Sequence, residues 1–102
     1  MIVQRHGIEI DTEALAELCK RYHVRELSLF GSVLRDDFRD DSDVDVLVEF
    51  EPEARIGLFR YFDLQSELEG LFCRKIDLVT KRGLKRVIRD DVLASSEVMY
   101  AV

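Results

Sequence analysis

Helical spacing of apolar residues marks two long segments of this chain. In the first segment the apolar positions are Leu15, Leu18, Cys19 and Tyr22. Because Asp11 before them is a favourable N-cap, a helix is predicted over residues 12–23. In the second segment the apolar positions are Leu58, Tyr61, Leu64, Leu68 and Leu71. They predict a helix over residues 56–70, with Gly70 near its end.

Apolar runs and alternation predict strands between these helices. The predicted strands are Glu26–Phe30, Asp43–Phe50, Lys75–Thr80 and a short last strand, Glu97–Ala101. A basic amphipathic helix is predicted before the last strand, with apolar positions Leu84, Val87, Ile88 and Val92. The residues before Asp11 read as a short polar start. This order of elements predicts an α/β or α+β domain with a small mixed sheet flanked by helices.

Length and composition fit one domain over residues 1–102. The chain is 47% hydrophobic and 35% charged, which suits a folded core rather than disorder. No apolar run approaches the roughly 20 residues of a membrane helix, and the start lacks the apolar core of a signal peptide. Cys19 and Cys73 have no zinc-type spacing. We therefore expect a cytoplasmic protein with reduced thiols and no membrane association.

The charges are segregated along the chain. The formal net charge of -6 argues against a nucleic acid partner bound through its phosphates. Nine of the 21 acidic residues lie in 36–53, whereas residues 74–89 hold seven basic residues and a single acid, Asp77. A basic run of this kind is most often a solvated helix face, with contact to a partner or to tRNA as the alternative.

Three features carry candidate chemistry: the Gly31–Ser32 turn, the pair Asp43 and Asp45, and Asp77 in the third strand. Positions i and i+2 of a strand share a face and lie about 6–7 Å apart, so the paired carboxylates can form one site. Asp77 joins them if its strand lies beside theirs. Carboxylate oxygens suit Mg²⁺, and a glycine turn before a helix N-terminus favours phosphate. This combination is typical of phosphoryl or nucleotidyl transfer.

The segments GSVLR (31–35), SDVD (42–45) and KIDLV (75–79) resemble the signature of the minimal nucleotidyltransferases of the DNA polymerase β superfamily, most of all the MntA-like antitoxins paired with HEPN-domain toxins. The resemblance implies a DNA polymerase β-like nucleotidyltransferase fold. It also implies a site of two halves. The residues at the triphosphate of ATP would be Gly31, Ser32 and Arg35. The ligands of Mg²⁺, as two ions, would be Asp43, Asp45 and Asp77, with Asp77 also assisting deprotonation of an acceptor hydroxyl.

The function implied by the resemblance is transfer of AMP from ATP to a hydroxyl, a tyrosine, of a HEPN-type toxin, in a hetero-oligomer with that toxin. Leu34 and Asp36 depart from the Ala and Gly that the family often has, which predicts weaker nucleotide binding. A non-catalytic antitoxin that acts by binding is therefore an alternative. Transfer to a small molecule or an RNA end is another, although the acidic balance disfavours it.

A calcium loop is the structural alternative for the acidic pair, since residues 41–45 begin like an EF-hand loop. That motif requires a glycine next and a glutamate at its end, but Val46 and Pro52 occupy those positions. The apolar alternation that follows also favours a strand over a loop. The nucleotidyltransferase interpretation therefore explains more of the pattern.

Overall fold

The computed structural model describes residues 1–35 and 42–102, and its elements follow the predicted order closely. The strands are β1 Ile2–Arg5, β2 Ile8–Asp11, β3 Val24–Phe30, β4 Val44–Phe50, β5 Ile76–Thr80 and β6 Glu97–Ala101. The helices are α1 Thr12–Arg21, α2 Leu58–Phe72 and α3 Arg86–Ser95, and a 3₁₀ turn, Gly31–Leu34, follows β3. The predicted ranges therefore differ from the observed ones by at most two residues at either end.

A four-stranded mixed sheet organises the chain, with strand order β5-β4-β3-β6. β3 is antiparallel to both β4 and β6, whereas β4 and β5 are parallel. The parallel pair is possible because α2 crosses between the two strands. The predicted small mixed sheet is therefore confirmed, and β5 forms one of its edges.

The core lies on the face of the sheet that α1 and α2 cover. Val44, Val46 and Val48 of β4 are fully buried there, in one cluster with Leu64 and Leu68 of α2. The predicted apolar stripe of α1 is also buried in this cluster, and its N-cap is confirmed because the Asp11 carboxylate accepts from the backbone N–H groups of residues 13 and 14. Alternation along β4 consequently directs its odd-numbered residues to the opposite face.

The N-terminal segment is an antiparallel hairpin of β1 and β2, so its reading as a polar start is wrong. Ile8 and Ile10 are buried in the core. The turn between the strands uses His6 and Gly7, both with positive φ, which is the backbone of a tight hairpin turn. The alternation of Ile8 and Ile10 with acidic neighbours, directly after a glycine, is the signal that predicts this strand.

The ends of α2 differ from the prediction. The helix continues past Gly70 to bury Phe72, and Cys73 instead adopts the left-handed conformation that ends it. At its other end Leu58 is 67% exposed rather than part of the apolar stripe. No helix in the described ranges has the length and apolar character needed to cross a bilayer.

Candidate active site

Asp45 and Asp77 lie side by side on the sheet face opposite the core. In the parallel pairing of β4 with β5, Asp45 is the register partner of Asp77. Their chain neighbours, Val44, Val46 and Ile76, are buried in the core, so both carboxylates project to the other face. Adjacent strands lie about 4.8 Å apart, which makes these two side chains direct neighbours. The structure thus brings together two carboxylates that are 32 positions apart in the sequence.

Asp43 immediately precedes β4 and is exposed. The backbone on either side of it is held by the segment before β5. The Val44 N–H donates to the Lys75 carbonyl at 2.9 Å, and the Arg74 guanidinium donates to the Ser42 carbonyl at 2.9 Å. The sequence predicted Arg74 only as part of a basic run. Its hydrogen bond to Ser42, which holds the backbone next to Asp43, was not predicted.

The Gly31 turn packs directly on Asp45. Gly31 has φ +76°, and a Cβ at this position would collide with the Asp45 carboxylate. The Ser32 backbone N–H donates a hydrogen bond to that carboxylate. A glycine is therefore required here both for its backbone conformation and because Asp45 occupies the space. The space beside Gly31, which was expected to admit phosphate, is filled by the Asp45 carboxylate.

Ser32 does not cap the helix N-terminus that was expected after the glycine turn. It is the second residue of the 3₁₀ turn, which has Phe30 at its N-cap position and no side-chain cap hydrogen bond. Leu34 packs against the core, so its extra bulk is accommodated there. Arg35 is exposed beside the turn. Asp36 falls outside the described residues.

The electrostatics of the site centre on Asp45. Burial raises the pKa of Asp45 above its ordinary value, and the charge of Asp77 raises it further. The hydrogen bond from Ser32 lowers the pKa of Asp45, the charge of Asp43 raises it, and Arg35 lowers it. Asp43, Asp77 and Arg35 thus all act on Asp45. Asp45 carries its negative charge at a cost that a nearby cation would relieve.

The donor chemistry of this group fits a hard divalent cation. Asp43, Asp45 and Asp77 offer only carboxylate oxygens, the ligands that Mg²⁺ prefers, and their mutual repulsion raises the pKa of Asp45. In residues 1–35 and 42–102, no three His, Cys, Asp or Glu side chains already lie close enough to hold a metal ion together.

A cavity of about 580 Å³ lies away from these carboxylates, and its lining includes His23, Glu51 and Arg60. A second one, of about 390 Å³, is lined by residues around Phe50 and Lys81. None of the six predicted site residues lines either cavity. The candidate site is accordingly defined by its charged side chains and its glycine turn rather than by a deep pocket.

Three polar residues of α2 that the sequence analysis did not assign to the site contact the strand that carries Asp77. Tyr61 was predicted as a core residue, but its hydroxyl donates to the Leu78 carbonyl. Burial, and then the charge of Asp77, raise the pKa of Tyr61. Gln65 and Glu69 bond to the backbone of Ile76. Their spacing at every fourth residue indicates a contact with β5 only once the sheet order is known.

Comparison with known proteins gives the family of the chain. The model of the family described as nucleotidyltransferase domain matches residues 12–100. The protein adenylyltransferase MntA of Thermococcus cleftensis is 43% identical over 84 residues, which cover 82% of this chain and 81% of that protein. Both matches include the glycine turn and the acidic strands.

Solved structures agree with the fold. A minimal nucleotidyltransferase superposes with a TM-score of 0.69 at 39% identity, covering 83% of this chain and 85% of its own. A chain from the complex of a tri-AMPylated HEPN toxin of Shewanella oneidensis with an MNT antitoxin gives a TM-score of 0.62 at 17% identity, covering 89% and 70%, a likeness of fold. The chain described here therefore belongs to the nucleotidyltransferase domain family and has the minimal, DNA polymerase β-like form of that fold.

Proposed function

We propose that this chain is a protein adenylyltransferase that transfers AMP from ATP to a tyrosine hydroxyl of a HEPN-type toxin and thereby acts as its antitoxin. The observation that carries the proposal is the register of β4 with β5, which sets Asp45 beside Asp77 with the Gly31 turn packed against them. The names of the relatives support the acceptor class, since one is a protein adenylyltransferase and another is bound to an AMPylated HEPN toxin.

In the proposed reaction the acceptor oxygen attacks the α-phosphorus of ATP, and the bond from that phosphorus to pyrophosphate breaks. Gly31, Ser32 and Arg35 lie at the triphosphate, where Ser32 supplies a hydroxyl and Arg35 a positive charge. Asp77 lies at the exposed sheet edge, where it accepts the proton of the acceptor hydroxyl.

Asp43, Asp45 and Asp77 are the residues that would hold Mg²⁺, as two ions. When bound, Mg²⁺ neutralises the charge that develops on the phosphates and on the leaving pyrophosphate. Without a cation, the three carboxylates would repel both one another and the triphosphate. Positioning and charge neutralisation are therefore the main tasks of this face of the sheet.

We place the reaction in the cytoplasm, with residues 1–102 as one domain that binds its toxin in a hetero-oligomer. Both cysteines are free thiols, Cys19 in the core and Cys73 on the surface, as expected in a reducing compartment. Nucleic acid is not the proposed partner. The chain is acidic overall, and Lys81 of the basic run pairs with Glu26 and Glu49 of the same sheet.

The test is the intact mass of a HEPN-type toxin after incubation with this protein, ATP and Mg²⁺. The proposal predicts an added mass of one or more AMP groups, mapped to tyrosine. The matched control is Glu49→Gln, which removes a carboxylate from the same strand but away from the site. A stable complex with unmodified toxin would favour the binding-only antitoxin, and AMP found on RNA or on a small molecule would identify a different acceptor.

A further inference from the structure

α2 replaces a neighbouring strand at the β5 edge of the sheet. Within the described chain, β5 pairs with β4 on one side only. On its other side the Ile76 N–H donates to the Glu69 carboxylate at 3.0 Å, and the Gln65 amide donates to the Ile76 carbonyl at 3.0 Å. The Tyr61 hydroxyl donates to the Leu78 carbonyl. Three side chains of one helix thus satisfy backbone groups that an edge strand normally leaves unpaired.

The fit between helix and strand is geometric. Tyr61, Gln65 and Glu69 are four residues apart, so they form one ridge with about 6 Å between successive side chains. Ile76 and Leu78, two residues apart in a strand, are separated by about 6.5 Å. The ridge therefore matches the spacing of the strand, while the adjacent α2 positions Leu64 and Leu68 are fully buried in the core.

Asp77 lies between the two residues that this ridge holds. In a parallel pair, successive residues direct their backbone groups to opposite sides, so the backbone of Asp77 faces β4 while those of Ile76 and Leu78 face α2. We propose that Tyr61, Gln65 and Glu69 are positioning residues that fix the Asp77 carboxylate beside Asp45 for nucleotidyl transfer. This inference rests on the proposed function and adds these three residues to its machinery.

The physical need for such a restraint follows from the charges. Asp77 is exposed on an edge strand, and its register partner is a carboxylate of the same charge. Repulsion would displace the edge strand or turn the side chain away unless the backbone were held on both sides. Residues that orient a metal-binding carboxylate matter because a misplacement of about 1 Å can reduce a rate about 100-fold.

The experiment compares variants that remove one contact with variants that keep it. Tyr61→Phe removes only the hydroxyl, and Glu69→Met removes the acceptor at the Ile76 N–H, whereas Glu69→Gln keeps an acceptor oxygen there. Tyr100→Phe is the matched control, since it removes a phenol hydroxyl from β6 at the other edge of the sheet. For each, kcat and KM for ATP, toxin affinity and Mn²⁺ affinity are measured well below the unfolding temperature, and the thermal midpoint is measured separately.

We expect Tyr61→Phe and Glu69→Met to lower kcat about tenfold or more and to weaken Mn²⁺ binding several-fold, with KM for ATP and toxin affinity near the wild-type values. Glu69→Gln and Tyr100→Phe should retain both kcat and Mn²⁺ affinity. If Glu69→Met does not fold, Tyr61→Phe carries the test alone, because it deletes a single oxygen.

A purely structural role would lower the thermal midpoint and leave kcat and Mn²⁺ affinity unchanged, and that result would overturn the inference. Failure of the proposed function is seen separately, as a wild-type protein that transfers no AMP. In that case the Mn²⁺ titration still decides the point: weaker binding by Tyr61→Phe supports positioning of Asp77, and unchanged binding overturns it.

Discussion

The contact between Gly31 and Asp45 predicts that a methyl group at position 31 costs more than the backbone conformation alone would. Gly31→Ala introduces two penalties. The first is the left-handed backbone at φ +76°, which costs a non-glycine residue about 1–2 kcal/mol. The second is the collision of the new Cβ with the Asp45 carboxylate, which must move and leave the Ser32 N–H without its acceptor. An unsatisfied partly buried donor costs about 1–3 kcal/mol.

Gly7 provides a matched control for the backbone penalty. Its φ is +78°, and a Cβ there would meet nothing within 4 Å. Gly7→Ala should therefore show the backbone penalty alone, and Gly31→Ala should be less stable than Gly7→Ala by about 1–3 kcal/mol. With a urea m-value of about 1–3 kcal/mol/M, the two unfolding midpoints should differ by roughly 1 M.

The assay is urea unfolding of both variants and of a double-mutant cycle with Asp45→Ala. Without the carboxylate, Gly31→Ala should cost no more than Gly7→Ala does. Equal costs for Gly31→Ala and Gly7→Ala in the wild-type background would refute the argument, because the space beside Gly31 would then be open. A cost of Gly31→Ala that persists in Asp45→Ala would show that the collision involves another group.

Three further predictions concern the carboxylates. Asp43→Asn and Asp45→Asn should each abolish AMP transfer while circular dichroism shows an unchanged fold, and normal turnover by either would contradict their role as ligands. Asp77→Asn should reduce the chemical step far more than toxin affinity in parallel modification and binding assays; full activity would remove Asp77 from the site. Because burial and then the charge of Asp77 raise the folded-state pKa of Asp45 above its unfolded value, ionised Asp45 opposes folding at neutral pH. That penalty disappears as the pH falls through the raised pKa. The thermal midpoint of metal-free Asp45→Asn should therefore lie above that of the wild type at pH 7, and the difference should shrink on acidification. A lower midpoint for Asp45→Asn at pH 7 would show that ionised Asp45 stabilises the fold instead.

Local patterns were sufficient to predict the parts of the site that lie within one element. Alternation along β4 separates Val44 and Val46 from Asp45, so the face of the carboxylate follows from the sequence alone. The turn at Gly31 is likewise marked by its residue type. The prediction that the strand of Asp77 lies beside the strand of Asp45 was conditional. The parallel register of β4 with β5 confirms it.

The parts of the site that could not be predicted from the sequence depend on contacts between distant segments. The bond from Arg74 to the Ser42 carbonyl joins residues 32 positions apart, and nothing in either local sequence indicates it. Tyr61 was assigned to the core because its position matches the apolar stripe of α2, yet its hydroxyl reaches β5. Such a role becomes visible only when β5 is known to be a sheet edge, since a central strand would have no free backbone groups there.

The core and the site share β4, and this leads to a prediction that separates stability from activity. Val46→Ala removes about 2 kcal/mol of burial and packing from a fully buried position. The register should nevertheless persist, because a slip by one residue would bring Asp45 into the core and expose Val44 and Val48. Urea unfolding should therefore show the loss, while kcat for AMP transfer, measured where the variant is fully folded, stays near the wild-type value. A fall in kcat larger than the fraction of unfolded protein can explain would show that the position of the carboxylates depends on the packing beneath them as well as on strand register.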